Sequence, residues 1–178
     1  EFDLISTKDG VLIARHDPEL GISTDVASRP EFADRRRVDW LVDGAKQTGW
    51  FAHDFTLAEI RTLRATIGDP ERPQQNNGKF RIVTLQEIID LAKARSAQRG
   101  RDIAIYPETK NPTYHRVLGL PLEDKLIAAL DAAGWNSPTA PVFVQSFEPS
   151  SLKEMRAKGL RCRMVQLVDG DAIDLSTG

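Results

Sequence analysis

The sequence predicts an α/β fold in which parallel strands alternate with helices. Two observations carry this prediction. Segments 103–106, 142–147 and 162–168 are short and almost continuously apolar, and amphipathic helical segments separate them. Strands of this composition are typical of a parallel sheet that helices cover on its faces. The length of 178 residues, with 40% apolar and 28% charged residues, is typical of a single globular domain, so we assign 1–178 to one domain.

The first predicted element is a β-hairpin around Asp9-Gly10, a dipeptide that favours a tight turn between two apolar-rich runs. If these two residues alone form the turn, residues whose numbers sum to 19 lie opposite each other, so Asp3 pairs with His16. Glu1 shares the face of Asp3 because side chains alternate along a strand. We therefore expect two carboxylates and an imidazole to converge. The alternative is an edge hairpin with solvated charges on its outer face.

The chemistry of this group can be narrowed from its residue types. Two carboxylates one residue apart repel each other unless a cation or a proton lies between them. Oxygen ligands suit Ca²⁺ or Mg²⁺ better than zinc. A histidine that titrates near neutral pH is a natural proton carrier. Glu1, Asp3 and His16 therefore predict a divalent cation site with a proton carrier beside it.

A long excursion, from about residue 21 to residue 55, follows the hairpin. It has little periodicity and many turn formers, so we expect an irregular insertion with at most short helices. The basic run 35–37 lies among acidic residues, which favours a solvated surface. The net charge of −2 gives no electrostatic footprint for nucleic acid or for an anionic membrane. The sequence contains no apolar stretch long enough to span a bilayer.

Capping motifs locate four helices. Thr56-Leu57-Ala58-Glu59 is a capping box for a short helix to about Arg64, and Thr84-Leu85-Gln86-Glu87 is one for a longer helix to about Ala97. A third helix is predicted over 123–133, with Gly134 as its stop, and a fourth from Ser151 to Gly159. Cys162 is the single cysteine, which excludes a disulfide within this chain, and we expect it in the core.

A second group of candidate residues follows the predicted strand 103–106. Glu108 and Lys110 lie just past its carboxyl end, where ligands gather in parallel β/α proteins. A carboxylate and an ammonium at this spacing can serve a metal and a phosphate together, with a surface ion pair as the alternative. Phe147, just beyond another strand end, is a candidate for packing against substrate carbons, with core packing as its alternative. For His53 we expect a structural or exposed place, and for His115 a loop surface, with a place at the mouth of the site as the alternative.

Several motifs, in the right order along most of the chain, resemble the glycerophosphodiester phosphodiesterase family. They are Glu1-x-Asp3, Thr7-Lys8-Asp9-Gly10, Arg15-His16-Asp17, Phe55-Thr56-Leu57-Ala58-Glu59-Ile60, Tyr106-Pro107-Glu108-Thr109-Lys110 and Val144-Gln145-Ser146-Phe147. Segment 21–49 is most similar to the bacterial periplasmic branch of that family.

The resemblance implies a TIM barrel that hydrolyses glycerophosphodiesters to sn-glycerol 3-phosphate and an alcohol. It assigns one divalent cation, Ca²⁺ or Mg²⁺, to Glu1, Asp3 and Glu108. It makes His16 the catalytic acid/base and places Lys110 near the phosphate. The family's earlier His-Arg motif and the later barrel strands are not within the sequence, so we expect the parent chain to extend at both ends. A periplasmic or secreted location is expected from the resemblance, with a cytoplasmic one as the alternative.

Three other functions stay open at this point. A related phosphodiesterase would use a substrate hydroxyl as the nucleophile and leave a cyclic phosphate. A non-catalytic domain would keep the metal site and only bind phosphodiesters. A glycosidase with a carboxylate pair on the same barrel would work without metal and would not need Lys110. For all phosphodiester functions the expected partner is a small-molecule substrate.

Overall fold

A computed structural model describes residues 1–169, whose centre is a five-stranded sheet. The sheet order is β2-β1-β5-β6-β7; β1, β5, β6 and β7 run parallel, and β2 is antiparallel to β1. The strands are β1 (Phe2–Ser6), β2 (Leu12–Ala14), β3 (Arg37–Val42), β4 (Ala45–Gly49), β5 (Pro107–Thr109), β6 (Phe143–Ser146) and β7 (Arg163–Gln166). The α-helices are α1 (Leu57–Ile60), α2 (Leu85–Arg99), α3 (Pro112–Val117), α4 (Glu123–Ala132) and α5 (Pro149–Ala157). The predicted alternation of parallel strands and helices is confirmed.

The two faces of the sheet differ in chemistry. On one face Leu4, Val144 and neighbouring apolar side chains pack against α2, α4 and α5, where Ile89, Leu126 and Met155 are fully buried. Since side chains alternate along a strand, the residues next to Leu4 and Val144 point to the opposite face. That opposite face carries the polar residues of the candidate site. None of the helices within the described residues is long and apolar enough to cross a membrane.

Both predicted capping boxes are present. The side chains of Thr56 and Thr84 accept from the backbone N–H groups of Glu59 and Glu87, which bond back to the caps. The first helix is shorter than predicted: it ends at Ile60 rather than at about Arg64. The fourth begins at Pro149 rather than Ser151, since proline is well suited to a first helical turn.

The register of the first hairpin differs from the prediction. Leu4 pairs with Ala14 and Ile5 with Ile13, so opposite residues have numbers that sum to 18 rather than 19. The turn has three residues, 8–10, and is closed by a bond from the Thr7 amide to the Val11 carbonyl (3.0 Å). Gly10 is in the left-handed region, with φ of 81°. The predicted two-residue turn was wrong, and one extra loop residue shifts every pair by one position.

Strand β5 lies further along the chain than predicted. We expected a strand over 103–106 that ended before Pro107. Proline has no N–H group to donate to a ladder. The hydrogen bonds to β1 come from the residues around the proline: the Phe2 amide donates to the Tyr106 carbonyl (3.3 Å), and the Lys110 amide to the Leu4 carbonyl (3.1 Å). The ladder therefore continues past Pro107, and Glu108 lies within the strand rather than after it.

The excursion after the hairpin has more structure than predicted. It contains the antiparallel hairpin β3–β4 and three short 3₁₀ helices, Val26–Ser28, Pro30–Arg35 and Ala52–Asp54. Phe32 and Phe55 meet edge to face, with ring centroids 5.1 Å apart, in a second core that also buries Ile5 and Ile13. The excursion is thus packed onto the first hairpin rather than extended from it.

The basic run at its centre is not simply solvated. The run lies at the surface, as predicted, but Arg35 pairs with Glu59 (2.7 Å) and Arg37 with Asp54 (2.5 Å). The first ion pair connects the excursion to α1, and the second connects its middle to the 3₁₀ helix at its end.

Candidate functional site

Three carboxylates converge on the polar face of the sheet. Asp3 on β1 pairs in register with Glu108 on β5, and Glu1 lies two residues before Asp3 on the same face. Each of the three offers an oxygen, and these oxygens all lie within 4.8 Å of one another. The parallel pairing of β1 and β5 therefore unites residues that are more than a hundred positions apart in the chain.

Glu108 shows how unfavourable this grouping is without a cation. Its side chain is buried, and burial together with the hydrogen bond to Asp3 raises the pKa of Glu108 to about 7; the Lys110 ammonium, 3.4 Å away, acts in the opposite direction. Like charges that share a site hold a proton between them unless a cation replaces it. Three carboxylates around one point are the donor set that hard cations such as Ca²⁺ and Mg²⁺ prefer, so these residues fit a divalent cation.

Lys110 and Phe147 lie in one cavity beside the carboxylates. The ammonium of Lys110 is 3.4 Å from the Glu108 carboxylate and 5.6 Å from the centroid of the Phe147 ring. Phe147 is 48% exposed, so the structure does not place it in the core. The cavity, of about 210 Å³, is lined by Asp43, Glu108, Thr109, Lys110, Asn111, Pro112, Ser146, Phe147 and Glu148. The carboxylate cluster, an ammonium group and an exposed ring are thus adjacent.

His16 is placed differently from the prediction. Because of the shifted register, Arg15 rather than His16 is next to Asp3, and the Arg15 amide donates to the Asp3 carbonyl (2.9 Å). His16 follows the end of β2, is 64% exposed, and its Nδ1 lies 3.1 Å from the Asp17 carboxylate. The predicted cross-strand pair of Asp3 and His16 was wrong. The His16 imidazole instead contacts the carboxylate of the next residue, Asp17.

The excursion forms one wall of the cavity. Asp43, in the turn between β3 and β4, accepts a hydrogen bond from the Asn111 side chain (2.5 Å), next to Lys110. The indole N–H of Trp40 donates to the Tyr114 hydroxyl (3.0 Å), and this hydroxyl also bonds His53 Nδ1 (3.0 Å). The sequence did not predict this hairpin or its contact with the site, since neither contact follows from local pattern.

Two histidines near this wall are structural. Burial lowers the pKa of His53, in agreement with the structural alternative for it. His115 is fully buried in α3, so the predicted loop surface was wrong. Burial, with smaller effects from His53 and Lys125, lowers the pKa of His115 to about 3. Its ring is therefore uncharged at neutral pH.

Sequence reasoning also missed Gln145. It lies in the motif Val144-Gln145-Ser146-Phe147, but the sequence suggested no role for its side chain. Gln145 on β6 pairs in register with Glu108, and its amide N–H donates to the Glu1 carboxylate (3.1 Å). Once the strand order is known, the pairing of Asp3 with Glu108 and of Glu108 with Gln145 places the three side chains on one face of the sheet. This pairing is the signal that would have identified Gln145 as a site residue.

The glycerophosphoryl diester phosphodiesterase family model matches residues 1–177. A glycerophosphodiester phosphodiesterase of Arabidopsis thaliana is 42% identical over 164 residues, which cover 85% of this chain and 43% of that protein. One of Haemophilus influenzae is 29% identical, over 94% of this chain and 48% of that protein. The chain therefore spans less than half the length of these relatives.

A solved structure of an Oleispira antarctica phosphodiesterase, in complex with the product sn-glycerol-3-phosphate, superposes with a TM-score of 0.56. The match has 19% identity and covers 99% of this chain and 56% of that one. Likeness of this kind shows the fold, a TIM barrel, as the resemblance implied. Within residues 1–169, β1, β5, β6 and β7 form one part of the barrel wall.

Proposed function

Because the chain belongs to the glycerophosphoryl diester phosphodiesterase family, we propose that its protein hydrolyses glycerophosphodiesters to sn-glycerol 3-phosphate and an alcohol with the aid of a divalent cation. The observation that carries the proposal is the convergence of Glu1, Asp3 and Glu108 within 4.8 Å, next to Lys110. The names of the relatives support the same activity.

Glu1, Asp3 and Glu108 would hold one Ca²⁺ or Mg²⁺. A cation there would neutralise phosphate charge and lower the pKa of an attacking hydroxyl. The raised pKa of Glu108 supports this assignment, because a carboxyl that is protonated near neutral pH in the apo protein is the group from which a cation displaces a proton.

Lys110 would bind a phosphate oxygen. Its side chain is only 18% exposed and lines the same cavity as Glu108, so a phosphate beside the cation would come within its reach. A fixed ammonium in a cavity stabilises charge that grows on the phosphate oxygens in the transition state. Phe147, whose exposed ring lines the same cavity, would pack against substrate carbons.

His16 would act as the general acid toward the leaving alcohol. Its Nδ1 faces the Asp17 carboxylate, which favours the tautomer with the proton on Nδ1. This leaves Nε2 as the atom that exchanges a proton with substrate. The arrangement is that of an acid/base oriented by a neighbouring carboxylate.

The proposal is tested by phosphorus NMR of the products from sn-glycero-3-phosphocholine, with and without EDTA. We expect sn-glycerol 3-phosphate as the direct phosphorus product, and no turnover in EDTA until Ca²⁺ or Mg²⁺ is restored. A cyclic phosphate as the end product would support the lyase-type reaction instead. Binding without any product would support a non-catalytic domain, and turnover that EDTA does not affect would contradict the metal role.

A further inference from the structure

Gln145 belongs to the same row of side chains as two of the candidate metal ligands. Asp3 pairs with Glu108 between β1 and β5, and Glu108 pairs with Gln145 between β5 and β6. Paired residues on parallel strands point to the same face, so these three side chains lie side by side across the inner wall of the barrel. Gln145 is 3% exposed, which makes its amide a buried polar group that needs partners.

The partner of this amide is the third carboxylate. Gln145 Nε2 donates to Glu1 Oε1 at 3.1 Å, so a side chain on β6 reaches one that precedes β1, past the intervening strand β5. Asp3 and Glu108 lie inside strands, where ladder pairing fixes their backbone. The Gln145 amide is thus a side-chain contact that can orient the Glu1 carboxylate toward the other two.

We propose that Gln145 is a positioning residue of the metal centre: it holds the Glu1 carboxylate toward Asp3 and Glu108 in the geometry that receives the cation. The inference rests on the proposed metal role of these three residues. An amide is suited to the task because it donates to one carboxylate oxygen, leaves the other for the cation, and adds no charge. A lysine would compete with the cation, and a carboxylate would add a fourth negative charge.

The expected size of the effect follows from other metal sites. Partners that orient a metal ligand typically change metal affinity by about 10–100-fold when they are removed. Gln145→Met keeps the length of the side chain but removes the donor. We therefore expect the Kd for Ca²⁺ to rise by about 10–100-fold in this variant. Isothermal titration of the metal-free protein with Ca²⁺ alone measures it without any dependence on turnover.

The matched control is Gln166→Met on the neighbouring strand β7. Gln166 pairs with Ser146, not with Gln145, so it belongs to the other face, and its amide bonds backbone carbonyls rather than the carboxylates. Its replacement should leave the Kd for Ca²⁺ unchanged. Unfolding of all variants in EDTA checks that the effect on Kd is not a general loss of structure.

A double-mutant cycle shows whether Gln145 acts through Glu1. In a Glu1→Ala background the carboxylate to be positioned is gone. Gln145→Met should then change the Kd for Ca²⁺ by less than about threefold. In the wild-type background the same substitution should raise the Kd by about 10–100-fold. Equal losses in both backgrounds would overturn the positioning role.

Two further outcomes separate this inference from the proposed function. Unchanged Kd in Gln145→Met, with binding lost in Glu108→Gln, would overturn the inference alone. If the wild-type protein binds neither Ca²⁺ nor Mg²⁺, the proposed metal role and this inference both fail.

Discussion

The buried histidine His115 should make the stability of the protein depend on pH in a defined window. The pKa of its ring falls from 6.5 in the unfolded chain to about 3 in the folded protein, chiefly because the ring is buried. The folded state therefore keeps His115 neutral at a pH where the unfolded state takes up a proton. The stabilisation is fully present above pH 6.5 and is lost as pH falls below it, until the folded protein also binds the proton near pH 3.

The size of the effect follows from proton linkage. When only the unfolded state binds a proton, the free energy of unfolding falls by about 1.4 kcal/mol for each pH unit below the unfolded pKa. Between pH 7 and pH 5 the unfolded His115 goes from mostly neutral to almost fully charged, and integration over this interval gives a loss of about 2 kcal/mol. His53, whose pKa burial also lowers, adds to the loss in the same direction.

Urea unfolding at pH 7 and pH 5 measures this loss. In His115→Leu the drop in unfolding free energy between the two pH values should be smaller by about 2 kcal/mol than in the wild type. The comparison uses the difference between two pH values within each variant, so any packing cost of leucine cancels. His16→Gln, at an exposed histidine, is the control and should keep the wild-type drop. If His115→Leu has the wild-type drop as well, the buried neutral state assigned to His115 is refuted.

Three further predictions concern turnover. Lys110→Met should lower kcat by about 10²–10³-fold, or about 2.7–4 kcal/mol, because it removes a cation that stabilises transition-state charge but keeps most of the stem. His16→Ala should lower kcat by about 10²–10⁴-fold with an alkyl leaving group and by much less with p-nitrophenolate, which needs no proton. Trp40→Phe removes the indole donor to the Tyr114 hydroxyl, at a cost of about 1 kcal/mol, and should raise KM about fivefold through a looser β3–β4 wall while kcat stays near the wild-type value.

Each of these changes has a control or a contradicting result. Lys158→Met, at a surface lysine paired with Asp124 and Glu154, should leave kcat unchanged; a wild-type kcat in Lys110→Met would make Lys110 a structural ion-pair partner only. Equal losses of His16→Ala on both leaving groups would remove the general-acid role. A kcat loss in Trp40→Phe with unchanged KM would mean that the hairpin does not act as a wall of the substrate cavity.

The sequence predicted the elements that depend on local chemistry. Both capping boxes and the glycine stop at Gly134 were found because the residues that form them lie within a few positions of one another. The carboxylate cluster was predicted because Glu1 and Asp3 are two positions apart and because Glu108 lies in a motif typical of the family. Local pattern and resemblance together located the three carboxylates, although neither supplied the pairing of β1 with β5.

What the sequence did not predict depends on contacts between distant segments. In the three-residue turn the Asp9 carboxylate accepts the Leu57 amide (2.9 Å), a contact across 48 positions that local pattern does not reveal. Hairpin β3–β4 contains a register shift between Arg37 and Trp40, which breaks the alternation that would reveal it. Burial of His115 likewise comes from packing around α3 rather than from its neighbours in sequence.

The most direct test of the metal-dependent account is a crystal structure of the protein in millimolar Ca²⁺. We predict one ion bound by oxygens of Glu1, Asp3 and Glu108 at about 2.3–2.6 Å, the range typical of calcium ligands. With Mg²⁺ the distances should shorten to about 2.0–2.1 Å, with several waters completing the octahedron. Carboxyl groups that point apart, with no density between them, would contradict the account at its centre.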